Sequence, residues 1–167
     1  MNILITGSNG MIGSAISKRL AQSGHKVFRL NRSDRSAPFY YDAEAVRMRF
    51  SPDIRLDAVI NLAGANIADK RWNPKRKEEI LESRRMLTQA LCDTLSKSQA
   101  PPQTLLSASA IGYYGNQRHQ PADEQSPPGD DFLAKVSVLW EEATEAATKA
   151  GIRTVLLRFG LVLDATG

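Results

Sequence analysis

Cysteine and histidine are scarce in this sequence. Its 167 residues include one cysteine, Cys92, and two histidines, His25 and His119. A single cysteine cannot form an internal disulfide, which is typical of proteins kept in a reducing compartment. The histidines lie far apart in the sequence and have no cysteine or carboxylate partners at ligand spacing. We therefore expect neither a disulfide scaffold nor a metal site.

Long apolar segments and targeting signals are missing as well. No stretch approaches the roughly 20 apolar residues that cross a bilayer, and residues 1–7 lack the basic and cleavable parts of a signal peptide. These absences predict a cytoplasmic protein without a membrane partner. The composition, 42% hydrophobic and 24% charged, fits a globular domain with its own core. The net charge of +4 suits an anionic ligand such as a phosphorylated cofactor, although the sign alone would also suit nucleic acid.

The chain does contain a regular alternation of apolar, strand-like runs with helical patterns. We predict helices that begin near Met11, Asn73 and Phe132, and strands over 2–6, 26–30, 39–41, 57–62, 103–107 and 153–158. Gly151 is expected to stop the last helix and His25 to lie in the turn before the second strand. The apolar face predicted for the long helix consists of Ile80, Leu87, Leu91 and Leu95. Such alternation favours an α/β fold in which helices cover both faces of a parallel sheet. In that architecture ligands bind at the carboxyl ends of the strands, near the point where the strand order reverses.

A glycine-rich turn follows the first predicted strand and opens the first predicted helix. Its sequence is Gly7-Ser8-Asn9-Gly10-Met11-Ile12-Gly13. Gly7 permits a tight turn, Gly10 lets a pyrophosphate approach the backbone, and Gly13 lets the helix pack closely on the sheet. Free backbone amides and the helix dipole then favour phosphate groups. In this context the pattern predicts a Rossmann-type dinucleotide site, and the alternative is a tight turn without a ligand.

The segment after the second predicted strand carries a cation where an acid is common. In NAD-binding sites of this kind, Asp or Glu usually accepts hydrogen bonds from the adenosine ribose at this position. This chain has Leu30-Asn31-Arg32-Ser33 instead, and the next carboxylate is that of Asp34. Because a guanidinium matches phosphate geometry, we predict that Asn31 and Arg32 bind the cofactor and favour NADP(H) over NAD(H). The alternative is that Arg32 is a solvated loop residue.

Six segments together resemble the atypical branch of the short-chain dehydrogenase/reductase superfamily that is described as sugar-nucleotide epimerase-like. They keep the family's order along nearly the whole chain and comprise 5–13, 59–64, 67–72, 107–115, 130–134 and 156–160. The resemblance implies a Rossmann-type doubly wound parallel sheet. It also implies that residues 1–167 form the N-terminal, NAD(P)-binding portion of a protein of roughly 300 residues, whose C-terminal substrate region is missing here.

The same resemblance implies cofactor contacts at the ends of three later strands: after the fourth, after the fifth under the nicotinamide, and after the sixth. The residues at these positions are Leu62, Ala63, Gly64, Ser107 and Gly160. Arg84 stands on the long helix where many members have an asparagine, and we include it among the predicted cofactor-binding residues.

The catalytic pattern of the family is incomplete in this chain. Active members use a Ser or Thr to bind the substrate oxygen and a Tyr-x-x-x-Lys pair to move a proton. Ser109 fits the first role, but with Lys135 at the Lys position, Asp131 stands at the Tyr position. Tyr113 and the tyrosine after it follow Ser109 closely. We take Ser109 and Tyr113 as candidate catalytic residues, with the alternative that the tyrosines pack on a ligand or in the core.

A basic cluster with one aromatic residue, 70–77 (Lys-Arg-Trp-Asn-Pro-Lys-Arg-Lys), opens the long helix. One interpretation is an anion-binding loop over the active site, for a phosphate or carboxylate of the substrate. The other is a solvated surface in which Glu78, Glu79 and Glu82 pair with the cations at helical spacing. One tryptophan in one loop disfavours nucleic acid, which needs a basic face with stacking aromatics.

Two functions are compatible with these features. The first is an oxidoreductase or epimerase-like enzyme that passes hydride between NADP(H) and an alcohol or carbonyl group of a small-molecule substrate, such as a nucleotide sugar, held near Ser109. The second is a non-enzymatic NADP(H)-binding sensor or regulatory scaffold, which the absent Tyr-Lys pair motivates.

Overall fold

The secondary structure follows the predicted alternation. The structure, a computed structural model, describes residues 1–117 and 121–163. In chain order the elements are β1 (Asn2–Thr6), α1 (Met11–Gln22), β2 (Lys26–Arg29), β3 (Phe39–Asp42), β4 (Arg47–Phe50), β5 (Ala58–Asn61), α2 (Pro74–Ser96), β6 (Thr104–Ala110), a 3-10 turn (Ile111–Tyr114), α3 (Phe132–Glu142), α4 (Glu145–Lys149) and β7 (Arg153–Phe159).

In the described part of the chain, five parallel strands form one sheet in the order β2-β1-β5-β6-β7. The chain first places β2 on one side of β1 and then adds β5, β6 and β7 on the other side. The strand order therefore reverses between β1 and β5, where Leu4 pairs with Val59 and Thr6 with Asn61. This is the Rossmann-type sheet that the sequence predicted.

Helices cover both faces of the sheet because successive strand residues point to opposite sides. One face packs against α1 through Ile3, Ile5 and Ile60. The opposite face packs against α2 and α4 through strand residues such as Leu4 and Val59. The carboxyl ends of β1 and β5 therefore lie between two helical layers.

Helix α2 begins and packs as its sequence predicts. The Asn73 side chain accepts a hydrogen bond from the Arg76 backbone N–H at 2.8 Å, and Pro74 occupies the first turn. The predicted apolar face of the helix is buried and consists of Ile80, Leu87, Leu91 and Leu95. Packing of this face fixes the helix against the sheet.

β3 and β4 form an antiparallel hairpin outside the main sheet, which corrects the sequence prediction. The sequence predicts only a strand at 39–41, because the Arg-Met-Arg-Phe segment of β4 carries no apolar run. In the structure this segment alternates exposed and half-buried residues. The buried Phe39 ring lies 5.2 Å from the rings of Phe28 and Phe50, measured between centroids. The Asn31 backbone N–H donates to the Phe39 carbonyl at 2.9 Å. The hairpin thereby holds the end of β2.

The last predicted helix is in fact two helices, α3 and α4. The Thr144 hydroxyl donates to the Glu141 carbonyl at 2.7 Å, at the junction between them. Such a local bond from a threonine competes with regular helix hydrogen bonding. Gly151, predicted to stop the helix, follows α4 with a φ of 81°.

No helix within residues 1–117 and 121–163 is long and apolar enough to cross a membrane. Over the same residues, no three His, Cys, Asp or Glu side chains come together as metal ligands. His25 precedes β2 as predicted, whereas His119 lies outside the described residues.

Cys92 offers a test of the packing of α2. Its thiol is fully buried, and burial, with a smaller contribution from Asp93, raises its pKa to about 12. Because the thiolate is the reactive form and an exposed thiol has a pKa of about 8.5, we expect the native protein to resist a disulfide reagent at roughly pH 8. Denaturant should make Cys92 react like a free thiol, as followed by the absorbance of the released chromophore. Rapid labelling of the native protein would contradict the buried position.

Candidate functional site

A cavity of about 740 Å³ opens at the carboxyl ends of β1, β2 and β5. It lies where the strand order reverses, which is the usual ligand site of open α/β sheets. The lining residues are 6–10, 30–33 and 62–66 together with Asp69, Lys70, Arg76, Glu79, Ser83 and Leu87. The glycine turn, the end of β2 and the loop after β5 thus meet around one space.

The glycine turn is shaped by close contacts that a side chain would block. Gly7 has a φ of 67°, and a Cβ on it would lie 2.7 Å from the Leu62 carbonyl oxygen. A Cβ on Gly13 would overlap the Gly7 carbonyl. Gly10 precedes α1, whose N-terminus has no side-chain cap and no acidic residue in its first turn. The Gly10 N–H donates to the Gly7 carbonyl at 3.0 Å, and the backbone amides at the start of α1 are available to an anionic ligand.

A buried hydroxyl connects the turn to the end of β5. Thr6 Oγ1 donates to Asn61 Oδ1 at 2.7 Å, and it accepts from the backbone N–H groups of Leu62 and Ala63 at 3.1 and 3.2 Å. Thr6 and Asn61 are both fully buried. These bonds fix the backbone that forms the cavity wall between β1 and β5.

The network continues from Asn61 beneath the cavity. Asn61 Nδ2 donates to Thr88 Oγ1 at 2.9 Å and to Ser107 Oγ at 3.1 Å, and Trp140 Nε1 donates to Thr88 Oγ1 at 3.0 Å. Ser107 was predicted to lie under the nicotinamide, but its side chain is fully buried in this network and does not line the cavity. Ser107 therefore supports the cavity wall through Asn61.

The end of β2 presents the predicted cation to the cavity. Asn31, Arg32 and Ser33 all line it. The Asn31 backbone is held on both sides, since its carbonyl also accepts from the Tyr41 N–H at 2.8 Å. Among the described residues, Arg32 is exposed and forms no ion pair. Its guanidinium is therefore available to a ligand.

The basic cluster 70–77 is divided by the structure. Of its cations, Lys70 and Arg76 line the cavity. The Arg76 side chain is 5% exposed and forms ion pairs with Asp69 and Glu79, and its hydrogen bond lowers the pKa of the Glu79 carboxyl. Arg76 also donates to the Asn66 carbonyl. It therefore ties the loop after β5 to α2, and its charge is largely compensated.

A second cluster lies at the ends of β6 and β7. Ser109 is 2% exposed and donates to the Glu141 carboxylate at 2.5 Å. The Arg158 guanidinium forms two bonds to the same carboxylate, at 2.8 and 2.9 Å, and this pairing raises the pKa of Arg158. The hydroxyl proton of Ser109 is therefore already donated within the protein.

Both tyrosines that follow Ser109 contact Arg158. The Tyr113 ring stacks on the guanidinium, 3.5 Å from its central carbon to the ring centroid. The Tyr114 hydroxyl accepts a hydrogen bond from Arg158 at 2.9 Å. Ser109 and Tyr113 thus belong to one cluster around Glu141 and Arg158, neither lines the cavity, and their catalytic roles stay predictions. Glu141 and Arg158 were not predicted as site residues, although Arg158 pairs with Ser109 in the register of β6 and β7.

The model of the NAD dependent epimerase/dehydratase family matches residues 3–163. The chain belongs to this family. It is 38% identical over 167 residues to the epimerase family protein Mb2239 of Mycobacterium bovis, with 99% of this chain and 55% of that protein covered. These findings confirm the resemblance seen in the sequence, and the chain spans about half the length of the curated relatives it matches.

Solved structures of epimerase family proteins share the fold. The crystal structure of human epimerase family protein SDR39U1 (isoform 2) with NADPH superposes with a TM-score of 0.87 at 33% identity, covering 100% of this chain and 56% of that chain. A nucleoside-diphosphate sugar epimerase from Corynebacterium glutamicum gives a TM-score of 0.71 at 33% identity, covering 95% and 33%.

In this epimerase/dehydratase family member, the remaining predicted site residues take four positions. Those on the cavity are Gly7, Ser8, Asn9, Gly10, Leu62, Ala63 and Gly64. Met11, Ile12 and Gly13 form the first turn of α1, behind the lining. Gly160 follows β7 and lies off the cavity, and Arg84 lies behind Gly64. The contacts of these residues with a cofactor stay predictions.

Replacement of Thr6 tests the buried hydroxyl. Thr6→Val removes an acceptor from Ala63 N–H and a donor to Asn61, so we expect the free energy of unfolding to fall by roughly 2 to 5 kcal/mol. Thr6→Ser keeps the hydroxyl and should lose only about 1 kcal/mol. The exposed Thr148 is a matched control, and Thr148→Val should change stability by no more than about 0.5 kcal/mol. Urea unfolding measures all three, and equal losses for Thr6→Val and Thr6→Ser would refute this role of the hydroxyl.

Proposed function

We propose that the cavity binds NADP(H), and that the chain is the cofactor-binding part of an oxidoreductase or epimerase-like enzyme. The observation that carries the proposal is the uncapped glycine turn facing Arg32 across one cavity at the reversal of strand order. The substrate would be an alcohol or carbonyl of a small molecule, such as a nucleotide sugar. The related human structure is described with NADPH, which supports the same class of cofactor here.

The residues present fit a phosphorylated dinucleotide. Backbone amides at the start of α1 would hold the pyrophosphate, because no side chain or acid competes for this N-terminus. Arg32 would hold the 2′-phosphate of the adenosine, with Asn31 and Ser33 beside it. Leu62, Ala63 and Gly64 would flank the cofactor on the β5 side. No carboxylate lies at 30–33 to repel the additional phosphate.

The chain's own residues would orient the substrate and provide a proton. A bound nicotinamide supplies or accepts the hydride. Ser109 and Tyr113 are the predicted catalytic residues, but Ser109 donates to Glu141 and the Tyr113 ring is stacked on Arg158. Among the described residues Tyr114 has its oxygen bonded to Arg158 and its own proton not donated. Because the bond from Arg158 orients the Tyr114 hydroxyl, we propose Tyr114, beside Tyr113, as a donor to a substrate oxygen.

A second function is supported by the closed arrangement around Ser109. No Tyr-x-x-x-Lys pair opens α3, and the Ser109 hydroxyl is committed to Glu141. A protein of this kind would bind NADP(H) as a sensor or regulatory scaffold without transferring hydride. Its affinity for a partner would then change with cofactor occupancy.

The location and remaining partners follow from the same features. We propose a cytoplasmic protein, because Cys92 is a free, buried thiol of the kind a reducing compartment preserves. Nucleic acid is disfavoured as a partner, since Arg76 of the basic cluster is engaged with Asp69 and Glu79.

Arg32→Asp tests the choice of cofactor. The change puts a carboxylate where the 2′-phosphate would bind, so NADPH binding should weaken by at least about tenfold, or 1.4 kcal/mol, and NADH binding much less. Arg35→Asp makes the same change of charge at a side chain that is 78% exposed and off the cavity, and should alter neither affinity by more than about threefold. Fluorescence titration gives the dissociation constants. Equal losses for both cofactors in Arg32→Asp would show that Arg32 does not recognise the 2′-phosphate.

Titration and turnover together test the function itself. The chain is titrated with NADPH and NADH, and a version extended to the length of its curated relatives is incubated with cofactor and a panel of carbonyl compounds and nucleotide sugars. Consumption of NADPH supports an oxidoreductase, and conversion of a nucleotide sugar to its epimer without net consumption of cofactor supports an epimerase-like enzyme. Binding without either reaction, together with partner affinity that depends on NADPH, supports the sensor. Failure to bind either dinucleotide at roughly millimolar concentration would refute both.

A further inference from the structure

Arg84 differs from other partly buried arginines in having no carboxylate partner. Among the described residues it forms no ion pair, and its guanidinium donates to the backbone carbonyls of Ile80 at 2.9 Å and Ala65 at 3.0 Å. The comparable ion pairs elsewhere are those of Arg76 with Asp69 and Glu79, and of Arg158 with Glu141. A cation removed from water without a counter-charge is costly for folding.

The Arg84 guanidinium lies directly behind the cavity wall. Gly64 lines the cavity, and a Cβ added to it would lie only 2.9 Å from Arg84 Cζ. The next lining residue, Ala65, is held at its carbonyl by Arg84 and at its N–H by the Ser83 hydroxyl, at 3.0 Å in each case. On its other side the guanidinium carbon lies 5.1 Å from the centroid of the Trp140 ring. The wall segment 64–65 is therefore fixed from behind by two adjacent residues of α2.

Two positive charges of α2 lie close together at this wall. Burial, with a smaller contribution from the charge of Arg76, lowers the pKa of Arg84 to about 10. The Arg84 guanidinium binds the Ala65 carbonyl, and the Arg76 guanidinium binds the carbonyl of the next residue, Asn66. Arg76 is compensated by carboxylates, whereas the partners of Arg84 within residues 1–117 and 121–163 are backbone dipoles and an aromatic face. An anion in the cavity would complete the compensation of Arg84.

We propose that Arg84 is a positioning residue for the dinucleotide: it holds the Gly64–Ala65 wall in shape and supplies a partly buried positive charge that a bound anionic cofactor balances. Arg84 has this role only if the cavity binds a dinucleotide, as proposed above. Its charge costs the cofactor-free protein stability and favours the cofactor-bound form. In this proposal Arg84 acts through the wall, whereas the sequence-based prediction was a direct contact with the cofactor.

Arg84→Met tests the charge, because methionine fills similar space without it. We expect NADPH binding, measured by fluorescence titration, to weaken by at least about tenfold. The urea midpoint of the cofactor-free protein should be unchanged or higher, since an uncompensated cation has been removed. Arg84→Lys restores the charge and should bring NADPH affinity back to within about threefold of the wild type.

Arg85→Met is the matched control. Arg85 is the next residue of α2, has a side chain that is 39% exposed, and pairs with Glu82 away from the cavity. Arg85→Met removes the same charge as Arg84→Met and should leave NADPH affinity within about threefold of the wild type. Wild-type affinity in Arg84→Met would overturn the proposal. So would a loss of affinity matched by a loss of stability and not recovered by Arg84→Lys, which is the pattern of a merely structural residue.

A double-mutant cycle tests the wall without any cofactor. Gly64→Ala should destabilise the wild type, because its Cβ meets the Arg84 side chain, and should destabilise Arg84→Ala much less. Additive effects would show that the two residues do not touch. If the wild type binds neither dinucleotide, the proposed function fails. If the wild type binds NADPH and Arg84→Met binds it equally well, only the role of Arg84 fails.

Discussion

The Thr6 hydroxyl joins the two strands between which the cavity opens, and its hydrogen-bonding capacity is completely used. A hydroxyl has one proton and two lone pairs. The Leu62 and Ala63 N–H groups occupy the lone pairs, so the proton must go to an acceptor, and Asn61 must present Oδ1. The Asn61 NH₂ group then has to face Thr88 and Ser107. Each bond determines the direction of the next.

The position of the glycine turn follows from this network. Gly7 comes directly after Thr6, and its φ of 67° brings it so close to the Leu62 carbonyl that a Cβ would not fit. Because the turn lies this close to β5, the turn and the loop after β5 together form one wall of the cavity. The space in front of this wall is open to a ligand. The hydrogen bonds that fix the wall are made to groups beneath it. The backbone amides at the start of α1 take no part in these bonds and stay uncommitted.

The sequence predicts the parts of this structure whose causes are local. The apolar run 2–6, the glycines at 7, 10 and 13, and the Asn73–Pro74 helix start each specify their conformation within a few residues, and the structure has all three. The β3–β4 hairpin was not predicted in full, because β4 is stabilised by a partner strand and by Phe39. Glu141 was missed for the same reason: 32 residues separate it from Ser109, and no periodicity joins them.

The arginines show where electrostatic function escapes sequence analysis. Arg32, Arg76, Arg84 and Arg158 have the same chemistry, yet each has a different environment. Arg32 is exposed at the cavity, Arg76 and Arg158 are paired with carboxylates, and Arg84 is held by backbone carbonyls and the face of Trp140. The three-dimensional partner decides whether a guanidinium is a ligand group, a structural tie or an uncompensated charge. Motif spacing does not contain that information.

The same distinction bears on how a proton could be delivered in the proposed reaction. In related enzymes the Tyr-x-x-x-Lys pair lies on one face of a helix. Here Arg158 belongs to β7, and the tyrosines that it contacts belong to the 3-10 turn that follows the neighbouring strand, β6. Arg158 is fixed by both oxygens of Glu141, and a guanidinium keeps its proton under physiological conditions. It can therefore orient the Tyr114 hydroxyl and favour negative charge on its oxygen, but it cannot pass on a proton. A proton given up by Tyr114 would therefore be replaced from the substrate or from solvent, and not from Arg158.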